Sequence, residues 1–301
     1  MHFRGLDLNL LVTLDALLAE KSISRAAKRV HLSQSATSGA LARLRQFFSD
    51  ELLVQVGRKM ILTPRAEGLV EPVRDLLLQT EGIIRKNPVF DPATSTRKFS
   101  LVASDYVATV LMTEALPRLQ CLAPTITLEM VWNVDRGISD SFERGEVDFM
   151  IMPMQYRSPN HPSENLFDDE FTCVVWSENK LVRDRISLAQ YLSLGHVVVR
   201  FGEQHQMASF YDEFMDHCGH RRRVEVIATA FNLVPQLLIG TTRIALLHRR
   251  LAGYYARYLP VRLLPPPVKI PRLVEVIQWH KYRERDPGSA WLRTVLKSSL
   301  G

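Results

Sequence analysis

The sequence predicts an α/β protein that combines a small N-terminal helical unit, a long helix and a two-lobed α/β unit. Three observations support this expectation. Two short helix patterns separated by a tight break occupy residues 22–47. Apolar residues then alternate four and three apart after Pro64. From residue 97 onward, strand patterns alternate with helix patterns, which is typical of sheets covered by helices.

The N-terminal unit begins with an amphipathic helix over residues 6–18, which reads LDLNLLVTLDALL. The next helix is capped by Ser22, whose side-chain oxygen accepts a backbone N–H that has no partner within the helix. A third helix follows Ser33, a second N-cap. Both helices carry apolar residues at the spacing that buries one side of a helix. These are Ile23, Ala26, Ala27 and Val30 in the first, and Ala36, Ala40, Leu41, Leu44 and Phe47 in the second.

The outward face of the second helix of this pair is small, polar and basic. It is expected to carry Gln34, Ser35, Thr37, Ser38, Gly39, Ala42, Arg43 and Arg45. A helix without bulky side chains near its start fits deeply into the major groove of DNA, where Gln pairs with adenine edges and Arg with guanine edges. The alternative is a solvated helical hairpin with no partner, because Ser, Thr and Arg are common on exposed helices.

The basic charge of the chain is concentrated in this unit. Residues 1–65 hold ten Lys and Arg against five Asp and Glu, whereas the net charge of the whole chain is +6. Binding to DNA phosphates requires such an excess. Residues 52–62 predict a hairpin with Gly57-Arg58-Lys59 at its tip, which is either a DNA-contacting wing or an ordinary surface hairpin.

We therefore expect residues 1–63 to form a winged helix-turn-helix that binds double-stranded DNA. The candidate DNA-binding residues are Ser33, Gln34, Ser35, Thr37, Ser38, Arg43, Arg45, Arg58, Lys59 and Thr63.

The long helix is predicted over residues 64–86, with Thr63 as its N-cap and Pro64 at its first position. Its apolar seam consists of Leu69, Val73, Leu76, Thr80 and Ile83, which indicates helix–helix dimerisation. Pro72 is expected to kink it. The alternative is a helix folded back on its own domain. Residues 87–96, NPVFDPATST, predict a hinge.

Residues 97–301 are expected to form two α/β lobes, one from residues 97–166 and 266–301 and the other from residues 167–265. Their strands are predicted at residues 99–103, 125–132, 147–152, 171–176, 196–201, 223–228, 244–248, 261–264 and 273–279. The alternation of strands and helices implies parallel sheets. Ligands of open α/β sheets bind beyond the carboxyl ends of the strands, often between lobes.

Composition excludes several other classes of protein. The 301 residues are 46% hydrophobic with a mean hydropathy of −0.05, and no apolar run approaches a membrane span of about 18 residues. Polar residues such as Asp7 interrupt the N-terminal apolar stretch, so we expect no signal peptide and a cytoplasmic location. The sequence lacks the common hydrolase, nucleotide-binding and metalloprotease motifs, so we expect no enzyme. The group His217-Cys218-Gly219-His220 is poorly spaced for zinc, so we expect no metal and no cofactor.

Over its full length the chain resembles the LysR-type transcriptional regulators. The resemblance rests on LDLNLL, SISRAAKRVHLSQSATSGALARLR, DELLVQVGRKMILTPRAEGL and the two-lobed C-terminal half. The first block and QWHKYRERDPGSAWLR resemble the branch of nodulation regulators and salicylate- and chloroaromatic-responsive activators. The resemblance implies a linker-helix dimer, a homotetramer, an effector domain like periplasmic binding proteins, a small-molecule coinducer and contact with RNA polymerase. Ser35 and Gly39 depart from the usual family pattern.

The resemblance also implies that the turn Ser104-Asp105-Tyr106 lines the effector cleft. The full set of candidate effector-binding residues is Ser104, Asp105, Tyr106, Trp132, Asn133, Met152, Pro153, Asp169, Arg200, Phe201, His205 and Phe231. Ordinary N-capping, lobe packing or solvated loops are the alternatives. Arg200 would suit a carboxylate or phenolate, but Asp169 disfavours a carboxylate, so a neutral or phenolic aromatic effector is expected. The alternative function is a small-molecule-binding protein or enzyme whose N-terminal helices serve oligomerisation.

Overall fold

A computed structural model describes residues 7–57, 59–84, 90–132, 141–202 and 207–300. The chain divides into two compact units, residues 1–86 and residues 87–301. None of the described helices is both long enough and apolar enough to cross a membrane.

The first unit is built from five helices and one hairpin. They are α1 (Leu8–Glu20), α2 (Ile23–Arg29), α3 (Gln34–Phe48), β1 (Leu53–Val56), β2 (Lys59–Leu62), α4 (Pro64–Glu67) and α5 (Val70–Ile84). The side chains of Asp7, Ser22, Ser33 and Thr63 each accept a backbone N–H at a helix start, which satisfies donors that the helix leaves unpaired. The core of this unit joins leucines of α1 and α3 to Leu52 and Leu53 before and within β1.

The long helix is interrupted one turn after it begins. Helix α4 ends at Glu67, and Gly68 and Leu69 form a turn before α5. Pro72 therefore lies within the first turn of α5 rather than at a kink inside a continuous helix, so the expected position of the break is wrong. Proline has no N–H to bond the carbonyl of Gly68 four residues earlier, which is why the helical ladder fails at that point.

Helix α5 packs partly on its own unit. Val73 is buried in the N-terminal core, and Arg74 pairs with Asp15 of α1 at 3.1 Å. Leu76 and Ile83 are instead 44% and 72% exposed. The predicted apolar seam therefore does not lie on one surface, because Val73 is buried in the core of its own unit while Leu76 and Ile83 are exposed.

Among its described residues, the second unit contains eleven strands and seven α-helices whose bounds are fully described. They are β3 (Lys98–Ala103), α6 (Asp105–Val107), α7 (Thr113–Leu122), β4 (Thr127–Trp132), β5 (Phe149–Pro153), β6 (Ser163–Asp169), β7 (Phe171–Trp176), α8 (Leu188–Ser193), β8 (Gly195–Phe201), β9 (Met207–Ala208), α9 (Phe210–His217), β10 (Arg223–Ala228), α10 (Val234–Leu238), β11 (Ile244–His248), α11 (Arg249–Tyr255), β12 (Val261–Leu264), β13 (Leu273–Trp279) and α12 (Pro287–Ser298). A π-helical turn, Ala108–Met112, joins α6 to α7.

Two sheets form the two predicted lobes. The first has the strand order β4-β3-β5-β13-β6, and the second has the order β10-β8-β11-β7-β12, with β9 beside β8. Both are mixed rather than parallel: β13 runs antiparallel to β5 and β6, and β7 runs antiparallel to β11 and β12. The chain crosses between the lobes twice, and the strand that follows each crossing, β7 or β13, runs antiparallel to both strands beside it in its sheet.

Strand β6 was not predicted, and its presence places one boundary between the lobes later in the sequence than expected. The expected boundary between residues 166 and 167 falls inside β6, which stays paired with β13 as far as Asp169. The first crossing is therefore at Glu170, between β6 and β7, and the second is the segment 265–272 between β12 and β13. The helix expected near residues 138–144 lies largely outside the described residues.

A charged network anchors the start of the first lobe. Arg97 donates to both carboxylate oxygens of Asp286, at 2.7 and 2.8 Å, and Asp286 caps α12. Asp148 accepts from the backbone N–H and hydroxyl of Ser100 at 2.8 and 3.0 Å. Gly288 lets this network close, because an added Cβ would lie 2.8 Å from Arg97 Nη1.

We predict that Gly288→Ala destabilises the second unit. The new methyl group would also lie 3.0 Å from the Phe90 ring, and overpacking typically costs about 1–3 kcal/mol. Differential scanning calorimetry should show the melting temperature of this unit falling by several degrees. The control is Gly253→Ala in α11, where nothing lies within 4 Å of the added Cβ and helix stability should rise by about 0.5–1 kcal/mol. Equal shifts for the two variants would contradict this account.

Candidate DNA interface and interlobe site

The start of α3 offers polar side chains to solvent. Gln34, Ser35 and Ser38 are exposed. Ser33 is the N-cap: its Oγ accepts the backbone N–H of Ala36 at 3.1 Å and lies 3.0 Å from the Oγ of Ser35. Ser33 therefore fixes the helix start, while Gln34, Ser35 and Ser38 are accessible to a ligand.

The buried side of α3 differs from the expected one at the start of the helix, where residue 37 is buried instead of residue 36. Thr37 is fully buried and its hydroxyl donates to the carbonyl of Ser33 at 3.0 Å, so its prediction as a DNA contact is wrong. Ala36 and Phe47, expected inside, are exposed. A threonine can lie inside because the helix carbonyl satisfies its hydroxyl, and a buried stripe through Thr37, Leu41 and Leu44 results.

Two of the other candidates are held by the fold of the domain itself. Arg45 donates to the carbonyls of Glu51 and Leu53 at 2.8 and 2.7 Å, which ties α3 to β1. The Thr63 hydroxyl donates to Asp50 at 2.6 Å and accepts the N–H of Ala66, and its bond lowers the pKa of Asp50. These side chains position the hairpin and the linker instead of projecting from the surface. Arg43 is exposed on α3.

The hairpin brings a cation next to the start of α3. Gly57 adopts a left-handed φ of +62° at the tip, and Lys59 begins β2 opposite Val56. Arg58 lies outside the described residues. A depression of about 570 Å³ opens between the starts of α2 and α3 and the hairpin. Its described lining carries three cationic side chains and no acidic one: Lys21, Ser22, Ile23, Ser24, Arg25, Gln34, Lys59 and Met60.

The start of α2 was missed as part of this surface. Ser24 and Arg25 were read only as part of a supporting helix. The signal was available, because Ser22 caps a helix whose first turn carries a serine and an arginine, and a helix start attracts anions.

In the second unit, the predicted turn after β3 bonds to the opposite lobe. Ser104 caps α6, and its Oγ accepts the N–H of Val107 at 3.2 Å. Asp105 is buried and accepts the backbone N–H of Asn232 at 2.7 Å. The Asn232 amide in turn donates to Thr109 at 2.9 Å. Burial raises the pKa of Asp105.

Tyr106 is the centre of a buried cluster between the lobes. Its hydroxyl donates to Asp169 at 2.8 Å, and its ring stacks on His248 with centroids 3.7 Å apart. The Phe231 ring packs edge-on against both. We name Tyr106, Asp169, Phe231, His248 and Glu275 the interlobe cluster. Three predicted effector residues thus come together, but they pack against one another.

Burial keeps most of this cluster uncharged. It lowers the pKa of His248 to about 3 and raises that of Glu275 to about 8, because a low-dielectric interior disfavours the charged forms. It also raises the pKa of Asp169, against hydrogen bonds from Tyr106 and two backbone amides that favour the carboxylate. His248 and Glu275 were not predicted, since each lies in an apolar strand pattern.

The remaining effector candidates surround this cluster unevenly. Phe201 lies beside Phe231, with ring centroids 5.4 Å apart. Arg200 is half-buried, and its Nε has no hydrogen-bond partner in the described structure. Met152 packs with Phe142 and Val276 in a separate apolar cluster, and Pro153 ends β5. Asn133, His205 and the side chain of Trp132 lie outside the described residues.

An open groove of about 860 Å³ runs along β6 and the crossing at Glu170, and Asp169 is part of its lining. Val110 and Thr113 line it from the first lobe, and Arg249, Tyr254 and Arg257 line it from the second. Sequence reasoning missed this groove because α11 was not predicted as a helix.

One group of metal-type donors converges in the first lobe. Glu143, His161 and His280 hold possible ligand atoms within 4.8 Å of one another. However, His161 Nδ1 accepts the Lys281 N–H and His280 Nδ1 accepts the Tyr282 N–H. A metal-bound His instead donates from its second nitrogen, so these contacts favour hydrogen bonding, as between His161 and Glu143 at 2.9 Å.

Gly219, with φ of +72°, ends the segment after α9 as expected.

Comparisons with known proteins agree with this architecture. Residues 8–67 match the family described as bacterial regulatory helix-turn-helix protein, lysR family, and residues 93–301 match the LysR substrate binding domain. Nodulation protein D 1 of Bradyrhizobium diazoefficiens is 39% identical over 296 residues, covering 98% of this chain and 94% of that protein.

Two solved structures share the fold. A probable transcriptional regulator from Pseudomonas aeruginosa is 29% identical, with a TM-score of 0.66 and 98% of both chains covered. Full-length CbnR complexed with its target DNA is 15% identical, with a TM-score of 0.54 over 98% of this chain and 100% of that one. The matched family consists of bacterial regulatory proteins, which confirms the expectation that the chain is no enzyme. The chain belongs to the LysR family of DNA-binding transcriptional regulators.

Proposed function

We propose that the protein activates transcription by binding a specific duplex DNA sequence through α3 and the hairpin. Gln34, Ser35, Ser38 and Arg43 would meet base edges and nearby phosphates, because they are exposed on α3. Lys59, together with Arg58 in the same tip, would contact the DNA backbone. The observation that carries this proposal is the exposed polar start of α3 beside a depression whose described lining includes Lys21, Arg25 and Lys59 and no acidic side chain. The crystallised complex of CbnR with its target DNA supports it by analogy.

We propose that α5 is the first self-association surface. Leu76 and Ile83 are exposed apolar side chains seven residues apart, which is the repeat that joins paired helices. The second unit carries further exposed apolar side chains on α7 and near α10: Leu116, Leu122, Leu233 and Leu237. These two surfaces would support a dimer and a tetramer respectively.

We propose that a small aromatic or phenolic effector binds between the lobes, near Ser104, Arg200 and Phe201. The Phe201 ring suits contact with an aromatic ring of the effector. The Arg200 Nε, which has no hydrogen-bond partner among the described residues, suits one polar group on that ring. Asp169 accepts the hydrogen bond of the Tyr106 hydroxyl, and its own carboxyl group disfavours an effector carboxylate nearby. The effector would act by its differential affinity for two lobe arrangements, and the linker helices would pass this change to the DNA-binding units and to RNA polymerase in the cytoplasm.

Arg43→Ala should weaken binding to the specific site by roughly 1–3 kcal/mol if its side chain reads a base. Lys59→Ala should weaken binding to all sequences alike and lower the salt slope by about one unit. Fluorescence anisotropy titrations over a range of salt concentrations on the upstream intergenic DNA measure both effects. Arg257→Ala, an exposed arginine in the second unit, is the matched control. If Arg43→Ala and Lys59→Ala both behave like this control, the assignment of this face fails.

Ile83→Glu should dissociate the dimer, since it places a charge in an apolar helix–helix contact. Sedimentation velocity should show a smaller species at micromolar concentration, with unchanged circular dichroism. Leu181→Glu, another exposed apolar position, should leave the oligomeric state unchanged. A wild-type chain that sediments as a monomer would refute self-association through α5.

A thermal-shift screen should find neutral phenols that raise the melting temperature more than aromatic carboxylates of the same size. Arg200→Ala should remove the stabilisation, because its guanidinium is proposed to bind the polar group of the effector. Arg118→Ala on α7 should leave it intact. Stabilisation by carboxylates alone, or by neither class, would contradict the proposed effector chemistry.

A further inference from the structure

Two acidic residues of the interlobe cluster lie side by side at the hinge between the lobes. Asp169 ends β6 directly before the first crossing, and Glu275 lies in β13 directly after the second. Asp169 pairs with Leu273 in the antiparallel ladder, and Phe167 pairs with Glu275. Asp169 and Glu275 therefore share one face of the sheet as diagonal neighbours, at a Cα spacing of about 7–8 Å.

Both carboxyl groups are buried, with 5% of Asp169 and 2% of Glu275 exposed. Asp169 accepts bonds from the Tyr106 hydroxyl and from the backbone amides of Glu170 and Arg250. These donors favour its ionised form. Glu275 Oε2 has no hydrogen-bond partner among the described residues. Two like charges at adjacent buried positions repel each other, so Asp169 holds the negative charge and Glu275 must hold a proton.

Among the described residues, the other titratable groups that face this pair bring a positive charge to Asp169 and none to Glu275. Tyr106 comes from α6, and burial beside Asp169 raises its pKa, so its hydroxyl keeps its proton. His248 comes from the end of β11 and stacks on Tyr106 in its neutral form. Arg250 at the start of α11 offers Asp169 its backbone amide, and its guanidinium lies 5.7 Å from the centre of the Phe167 ring. The positive charge of Arg250 favours the ionised form of Asp169, which leaves Glu275 as the member of the pair that holds the proton.

We propose that Glu275 holds a proton beside the Asp169 carboxylate at the hinge, and that the arrangement of the two lobes in this structure takes up this proton from solution. The step is the protonation of the Glu275 carboxylate by solvent, with no other bond changed. Opening of the hinge would let water reach the pair, and Glu275 would release the proton. The proton is thus a ligand of this unit in addition to the proposed effector. Its uptake does not depend on the proposed function, and only the regulatory effect of that uptake rests on it.

The direction of the pH dependence follows from burial. The pKa of Glu275 rises from 4.5 to about 8 in the folded chain, so the folded unit holds a proton that the unfolded chain has lost within this range. The stabilising contribution of this group is complete below about pH 4.5 and disappears as the pH rises towards 8. Closure of the lobes should weaken over the same range.

The first test compares wild type with Glu275→Gln and with Glu129→Gln, an exposed strand position paired with Lys98. Glutamine is neutral at every pH, so Glu275→Gln should lose the pH slope that this site contributes. Between about pH 5 and pH 8, the melting temperature of wild type and Glu129→Gln should fall by about 3–5 °C more per pH unit than that of Glu275→Gln. Equal slopes in all three proteins would overturn the proposal.

Infrared spectroscopy of the full chain gives a direct second measurement. At neutral pH, wild type should show the carbonyl band of a protonated carboxylic acid, and Glu275→Gln should lack it. If Glu275→Gln fails to fold, Asp169→Asn replaces it. Removal of the like charge should then shift the pH at which the band disappears. A wild-type spectrum without this band at neutral pH would also overturn the proposal.

The native cysteines report on the lobes themselves. Cys121 on α7 and Cys218 after α9 are exposed in different lobes, whereas Cys173 is buried. Nitroxide labels on the two exposed thiols, diluted with unlabelled protein, measure the interlobe distance without effector or DNA. The distance should lengthen between about pH 6 and pH 9 in wild type and Glu129→Gln, but not in Glu275→Gln. A distance that does not change with pH in wild type would refute the coupling to closure, whatever the outcome of the DNA and effector experiments.

Discussion

The rotation of α3 about its own axis decides which of its side chains reach the surface of the helix-turn-helix unit. Leu41 and Leu44 are buried in a core shared with Leu14 of α1, and together they admit only one rotation. Thr37 completes the stripe because its hydroxyl bonds a helix carbonyl. The outward placement of Gln34, Ser38 and Arg43 is therefore a consequence of apolar packing on the opposite side.

The effector-binding unit depends on polar contacts of a different kind. Its two lobes are connected by two chain crossings and by bonds such as that between Asp105 and the Asn232 amide. Groups buried at such a junction must be paired or neutral. A few bonds of this type can hold one lobe arrangement while leaving another within reach of a ligand, which is what a molecular switch requires.

The sequence predicted those strands that an apolar run or an apolar alternation defines. Strands β7, β10, β11, β12 and β13 have the predicted bounds, because continuous or alternating apolar runs define them. Strand β6 was not predicted, because Glu164, Asn165 and Asp168 interrupt its apolar pattern. Thr37 and Asp169 were assigned to ligands because a polar side chain is normally exposed. Thr37 bonds the Ser33 carbonyl one helical turn earlier, so its burial is a local possibility that the residue type alone did not indicate. Asp169 is bonded by Tyr106, which lies 63 residues away along the chain, and a single sequence does not reveal such pairing.

The central claim is that this chain recognises a particular DNA sequence, and a competition experiment tests it most directly. The full-length protein is bound to its upstream intergenic DNA at about 150 mM salt and displaced by either the same fragment or a shuffled fragment of equal length and composition. Specific readout predicts that the native fragment competes better by roughly 10³-fold or more. Equal competition by the two fragments would mean that the protein binds only phosphates, and it would contradict the account.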